Sequence, residues 1–180
     1  MKEAKVVGTR ELRKNLMKYL KKHINLEQNW LKGKVGKKKT LLKKLINLEA
    51  LMVDKPIVVF DTNIFISAIF WEGKSYALVK KAINQEIIVF ISNYIIEELR
   101  RVLSRDFNLE KQEIDDIVNA VLYFTHLIEP RGAVTFIKDD PKDDKILDCA
   151  IACNAEFIVS QDNHLLNLKT FRGIRIVSPE

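Results

Sequence analysis

Several things are scarce in this 180-residue chain, and each scarcity narrows the possibilities. There are two cysteines, Cys149 and Cys153. Two cannot staple a disulfide scaffold, and four apart on a helix they read as small, reduced core residues. The three histidines, His23, His126 and His164, are far apart and have no partner at zinc-ligand spacing. Among the six glycines there is neither a G-x-x-x-x-G-K-[ST] nor a G-x-G-x-x-G arrangement, which argues against a P-loop or Rossmann nucleotide site. The longest apolar runs, such as Ile87–Ile91, fall far short of the ~18–20 residues of a membrane span. The opening residues, MKEAKVVGTR, contain no apolar core of a secretory signal. A cytoplasmic protein with no membrane contact is therefore expected.

What is present is a chain that is 47% hydrophobic, enough to bury a real core, with a formal net charge of +6. The charge is unevenly placed. Residues 1–55 carry 16 Lys and Arg against 5 Asp and Glu, a net of +11, while the remainder carries a net of −5. Two parts are expected: a basic N-terminal extension over 1–55 and an acidic globular domain over 56–180. The extension suits a phosphate backbone or an acidic partner; a solvated Lys-rich helix surface is the plain alternative.

The body alternates between two periods. Ile57–Phe60, Ile87–Ile91, Phe157–Ser160 and Ile174–Val177 are short apolar runs that read as buried strands. Between them lie helical stretches at Ile64–Phe70, Ala77–Ile83, Asn93–Leu103, Leu109–Phe124 and Ile146–Cys153. Leu127–Pro130 and Val134–Ile137 read as short strand or loop, and Asp139–Lys142 as an acidic turn around Pro141. Strands alternating with helices imply an α/β fold on a mostly parallel sheet, whose ligands sit beyond the carboxyl ends of the strands. That rule singles out Asp61, directly after the first strand, and Asp162, two residues after Ser160.

Two further acids are chosen by helix face. Glu98 lies three after Ile95 and four before Val102, against structure, whereas Glu97 shares the wet face of Asn93, Arg100 and Arg101. In the helix after Pro141, Asp143 lies with Ile146, Leu147 and Ala150. Asp144 lies on a mixed side with Leu147, Asp148 and Ile151, so the pattern favours Asp143 without closing the choice. Each acid alone has an ordinary reading as cap, turn or first-turn residue. Four converging carboxylates would repel one another, and a hard divalent ion, magnesium or manganese, resolves that repulsion with all-oxygen ligands. Beside a phosphodiester it would activate water and polarise the phosphoryl group.

Three segments, VFDTNIFISA (59–68), ISNYIIEELRRVL (91–103) and DDPKDDKILDCAIACNAEFIVSQDNHLL (139–166), resemble the PIN domain family, in particular its toxin–antitoxin branch. The resemblance covers about 57–178. It implies a three-layer α/β/α sandwich and a magnesium- or manganese-dependent ribonuclease acting on RNA. It also implies metal-holding acids at Asp61, Glu98, Asp143 and Asp162, with Asp144 beside the third. Asn63 and Ser160 match small polar positions that orient acids or water, and relatives commonly form homodimers. His164 stands where the family often has an acid. Residues 4–22, AKVVGTRELRKNLMKYLKK, resemble the N-terminal segment of Phd/YefM-type antitoxins, which build DNA-binding dimers. This implies an antitoxin or DNA partner for that segment, although the Lys run over 32–44 replaces the rest of the antitoxin pattern. Two other readings remain. A haloacid-dehalogenase-type phosphatase would need a second Asp where Asn63 stands. A non-catalytic regulator would bind nucleic acid through the basic arm.

Overall fold

The computed structural model describes residues 55–132 and 143–180. Its first strand, β1 (Ile57–Phe60), is apolar at every position because it lies in the middle of the sheet and is covered on both faces. Two helices follow, α1 (Thr62–Phe70) and α2 (Lys74–Ile83), then β2 (Ile88–Ile91). Two more, α3 (Asn93–Phe107) and α4 (Lys111–Phe124), lead to the edge strand β3 (Thr125–Leu127). Beyond the second described segment's start come α5 (Asp143–Ala152), β4 (Phe157–Val159), α6 (Asn163–Leu168), β5 (Thr170–Phe171) and β6 (Ile174–Val177).

The sheet order is β3-β2-β1-β4-β6-β5, parallel throughout except for the β5–β6 hairpin. The chain first steps outward from β1 to β2 to β3, then returns across both to place β4 on the other side of β1. Right-handed crossovers therefore put α1–α4 on one face and α5 on the other. The packing agrees: α1 touches α2 and α3, α3 touches α4, and α5 lies on β1, β4 and β2. This is the expected α/β sandwich on a mostly parallel sheet. The reversal of direction between β1 and β4 is a topological switch point, where such sheets open a crevice at their carboxyl ends.

Local sequence explains the boundaries. α3 buries Ile95, Leu99 and Leu103 at steps of four, all fully inaccessible. It runs four residues past the expected Leu103 and stops at Asn108, which takes the left-handed conformation (φ 48°) that asparagine tolerates better than most residues. α4 opens with a reciprocal capping box between Glu110 and Glu113. The short β5 and α6 carry too few residues to show a period, and the sequence pattern did not reveal them. The β5–β6 hairpin turns on Arg172 and Gly173, both at positive φ, the combination a two-residue turn requires. The expectations for 1–54, Val134–Ile137 and the Asp139–Lys142 turn lie outside the described residues.

Candidate active site at the carboxyl edge

The register pairs Phe60 with Val159, and the Asp61 N–H donates to the Val159 carbonyl at 2.9 Å. Asp61 and Ser160 therefore leave the sheet side by side. Asp61 occupies the N-cap position of α1, yet its side chain makes no capping hydrogen bond. The carboxylate turns instead toward β4. Its Oδ2 accepts from the Ser160 hydroxyl at 2.5 Å and from Asn63 Nδ2 at 2.6 Å. The capping expected of Asp61 is replaced by site chemistry.

Ser160 is fully buried and ties three parts together. Besides donating to Asp61, its hydroxyl accepts from the Asp162 backbone N–H at 2.9 Å and from Asn63 Nδ2 at 3.4 Å. Asn63 closes the loop by accepting from the Gln161 N–H at 3.3 Å. The orienting roles expected for Asn63 and Ser160 thus have a geometric basis: both donors fall on one oxygen of Asp61 and fix the rotation of its carboxylate. Asp162 caps α6, accepting from the His164 N–H at 2.7 Å.

Glu98 reaches the site from α3. It is half-buried where Glu97 is exposed, as the helix face indicated. Its Oε2 accepts from the hydroxyl of Thr62, the residue after Asp61, at 3.0 Å, and Arg101 lies 3.4 Å from Oε1. Burial, chiefly, with the neighbouring charges of Glu98 and Asp162, pushes the Asp61 carboxyl up to about 6, against the pull of its Ser160 and Thr62 hydrogen bonds. Three of the four expected acids therefore share one electrostatic environment.

The fourth position is less simply read. α5 begins at Asp143 and brings both candidates to its first turn. Asp144 is the buried one, 4% exposed, while Asp143 is only half-buried. Face counting had ranked Asp143 as the inward side. Burial does not settle that ranking, because α5 is packed nearly all round: Ile146, Leu147, Asp148, Cys149 and Ala150 are all buried, and Asp143 has a buried oxygen of its own, Oδ2. Only Lys145 on α5 is exposed, so its wet side is too narrow to rank the two acids. Both acids remain candidates.

Sequence reasoning missed Thr62, Gln161 and Asp148. Thr62 reads as cap chemistry, and only the tertiary approach of α3 gives its hydroxyl a carboxylate. Gln161 accepts from Ser67 at 2.9 Å and donates to Ser75 at 3.4 Å, tying the β4–α6 turn to α1 and α2. The repeat of Asp144 one turn later at Asp148 was the available signal for that residue. Cys149 and Cys153 are buried thiols pushed up to about 12 and about 11 by that burial, which suits packing and not nucleophilic chemistry.

An edge holding Asp61, Glu98 and Asp162, with Asp143 and Asp144 on the flanking helix, offers only oxygen donors. That donor set fits a hard divalent cation and not zinc or copper. Among the described residues no three such side chains are drawn into a ready-made cage. The acids bracket an open edge, and the raised Asp61 carboxyl marks where positive charge would be favoured. Also among the described residues, no helix is long and apolar enough to cross a membrane.

Comparison with known proteins adds two findings. A family model described as PIN domain matches residues 57–164. Among solved structures, the fold is similar to a chain in the crystal structure of VapBC2 from Rickettsia felis bound to a DNA fragment from their promoter. That chain is 18% identical, and the match covers 68% of this chain and 98% of the other with a TM-score of 0.50. The likeness is one of fold. A search of curated proteins found no match.

Proposed function

This chain belongs to the PIN domain family, whose members are typically nucleases, and from that premise we propose that it is a magnesium- or manganese-dependent endoribonuclease. In this reading Asp61, Glu98, Asp162 and one or both of Asp143 and Asp144 hold the metal. The observation that carries it is the Asp61 carboxyl, pushed up to about 6 in the company of Glu98 and Asp162 at the switch-point crevice. A buried acid with two acidic neighbours is a costly arrangement without a cation and a useful one with it.

The chain's own residues do the positioning. Ser160 and Asn63 hold Asp61 in one rotamer. Thr62 holds Glu98 next to it. Asp162 is locked by its cap on α6 and by Ser160 through its backbone. When bound, a hard divalent ion supplies the positive charge that an approaching phosphodiester needs and acidifies the attacking water. One of the acids serves as the base that accepts the water's proton.

The resemblance of its motifs to the toxin–antitoxin PIN branch, beside the fold likeness to a VapBC2 chain, supports a toxin-like role with an antitoxin partner, and the homodimer of this reading rests on that resemblance alone. Residues 1–55, net +11, form the basic extension of this reading and supply contacts to nucleic-acid backbone. The test is incubation of a mixed RNA pool with the purified protein, with mapping of the cut sites. Cleavage is expected with magnesium or manganese, lost on chelation and lost in Asp61→Asn. A protein that only retards RNA, with or without metal, would instead be a binding regulator acting through its basic arm.

A further inference from the structure

A second concavity opens at the same carboxyl edge, between the start of α3, the segment after β3 and the side of α5. It has a volume of about 320 Å³ and is walled by Asn93, Tyr94, Glu129, Pro130, Lys145 and Asp148, among others. Its position relative to the acids is set by helix geometry. Tyr94 lies four residues before Glu98 on α3, and Asp148 four residues after Asp144 on α5, each about 6 Å along its helix axis. The cleft is therefore walled on α3 by a residue one turn nearer the carboxyl edge than Glu98, and on α5 by one a turn deeper than Asp144.

We propose that this cleft holds one nucleobase of single-stranded RNA next to the phosphate being cut. This inference rests on the nuclease reading above. Charge decides between a base and a phosphate. Glu129 and Asp148 outweigh Lys145, so the wall is net negative by one and repels a phosphate. The cleft of about 460 Å³ at the opposite, amino edge has the reverse balance, with Arg172 and Arg175 against Glu156. What suits the carboxyl-edge cleft is a flat, neutral ring that donates hydrogen bonds. The half-buried Tyr94 and Pro130 supply flat faces for stacking. Asp148, 5% exposed, and Asn93 supply polar groups for the ring's edge. Carboxylates accept from exocyclic amino groups, so adenine, cytosine and guanine are favoured over uracil, which has none. Lys145, exposed at the rim, meets the backbone that carries the base.

Two measurements on the full chain test this separately from cleavage. The first is binding of single-stranded RNA hexamers of A, of C and of U in EDTA, followed by fluorescence anisotropy. Backbone phosphates are the same in all three, so the change in affinity ratio between the parent and a cleft variant isolates the cleft. A and C are expected to bind several-fold tighter than U. Tyr94→Ala should weaken A and C about tenfold, as loss of one stacking partner does, while Tyr94→Phe should not. The near-isosteric Asp148→Asn removes no volume and should narrow the preference over U, and melting curves accompany each variant. Equal affinities for the three hexamers, or a preference untouched by both Tyr94→Ala and Asp148→Asn, would overturn the base site whether or not the protein cuts RNA. The second is the cut-site map with magnesium or manganese. A, C or G should be enriched over U next to the cut, and Tyr94→Ala should flatten that enrichment and raise KM more than it lowers kcat. Base-selective binding without any cleavage would overturn the nuclease reading and leave the base site standing. Cleavage with no base preference would do the opposite.

Discussion

At the scale of single residues, Asp61 is the most informative position, because its environment makes opposing demands. Burial and the charges of Glu98 and Asp162 favour its protonated form, and two hydrogen bonds favour the ionised one. With an ordinary value of 3.8 and a folded value of about 6, the native state binds a proton more tightly than the unfolded chain. Stability therefore falls as pH rises through the window from about 4 to 6, and stays lower above it, by up to about 3 kcal/mol. Asp61→Asn removes the charge and keeps an oxygen to accept from Ser160. Thermal melts in chelator at pH 7.5 should show this variant melting several degrees above the parent, with the gap closing near pH 4. A variant that melts lower at every pH would contradict the burial argument. Ser160→Ala should act in the other direction on the same group. Losing the Ser160 hydrogen bond raises the Asp61 carboxyl further, so the pH at which manganese affinity reaches half its plateau should move up. An unchanged pH profile would mean that Ser160 does not hold Asp61. Much of this was legible in the residues themselves. A strand-terminal Asp, a Glu facing structure beside one facing water, and an Asp just beyond a third strand all follow from periods of 2 and 3.6. That Asp61 would forgo its cap for Ser160 was not legible, because it depends on which strands become neighbours.

At the scale of elements, the site is only as well placed as the helices that carry it. Glu98 is held by α3, whose burial rests on Ile95, Leu99 and Leu103. Leu99→Ala, adjacent to Glu98 and fully buried, should cost 2–5 kcal/mol, roughly what large-to-small core changes cost. Urea denaturation measures this directly, and a cost below about 1 kcal/mol would mean that α3 is not anchored as described. α5 is the other carrier. If burial marks the ligand, Asp144→Asn should weaken manganese binding more than Asp143→Asn, and the reverse order would return the role to the residue favoured by face counting. β1, apolar at all four positions, and β6, apolar at three of four, were legible to the residue, since nothing competes with so clear a pattern. Helix ends were less so. α5 begins three residues before the expected Ile146 because Asp143 and Asp144 suit a first turn electrostatically, a signal that apolar periodicity does not register. β3 fell on Thr125–Leu127, ahead of the ambiguous Leu127–Pro130 stretch, because an edge strand of three residues is fixed by pairing with β2 and not by its own composition.

At the scale of the whole molecule, charge and topology are separated in a way that suits a nuclease. The domain from residue 56 onward is net −5, and its acids meet at the carboxyl edge, where the β1–β4 switch point makes a crevice. Residues 1–55 carry the opposite balance, a net of +11. In the proposed reading, polyanion attraction and metal-assisted chemistry belong to different parts of the chain. Deleting residues 1–50 should flatten the dependence of RNA affinity on salt, since each phosphate contact on a single strand adds about 0.7 to the log–log slope. Equal slopes for the full chain and the deletion would remove the arm from RNA binding. The fold class and the division of charge were open to arithmetic on the sequence. The placement of the acids at one edge required the strand order, which the sequence constrains only through the right-handedness of its crossovers.

The central claim is that acids distant in sequence act together on one divalent ion. Calorimetric titration of manganese into the full chain, repeated for Asp61→Asn, Glu98→Gln and Asp162→Asn, tests it most directly. The account predicts saturable binding that each substitution weakens by about tenfold or more. Binding that is absent from the parent, or undiminished in any one of the three variants, would contradict it.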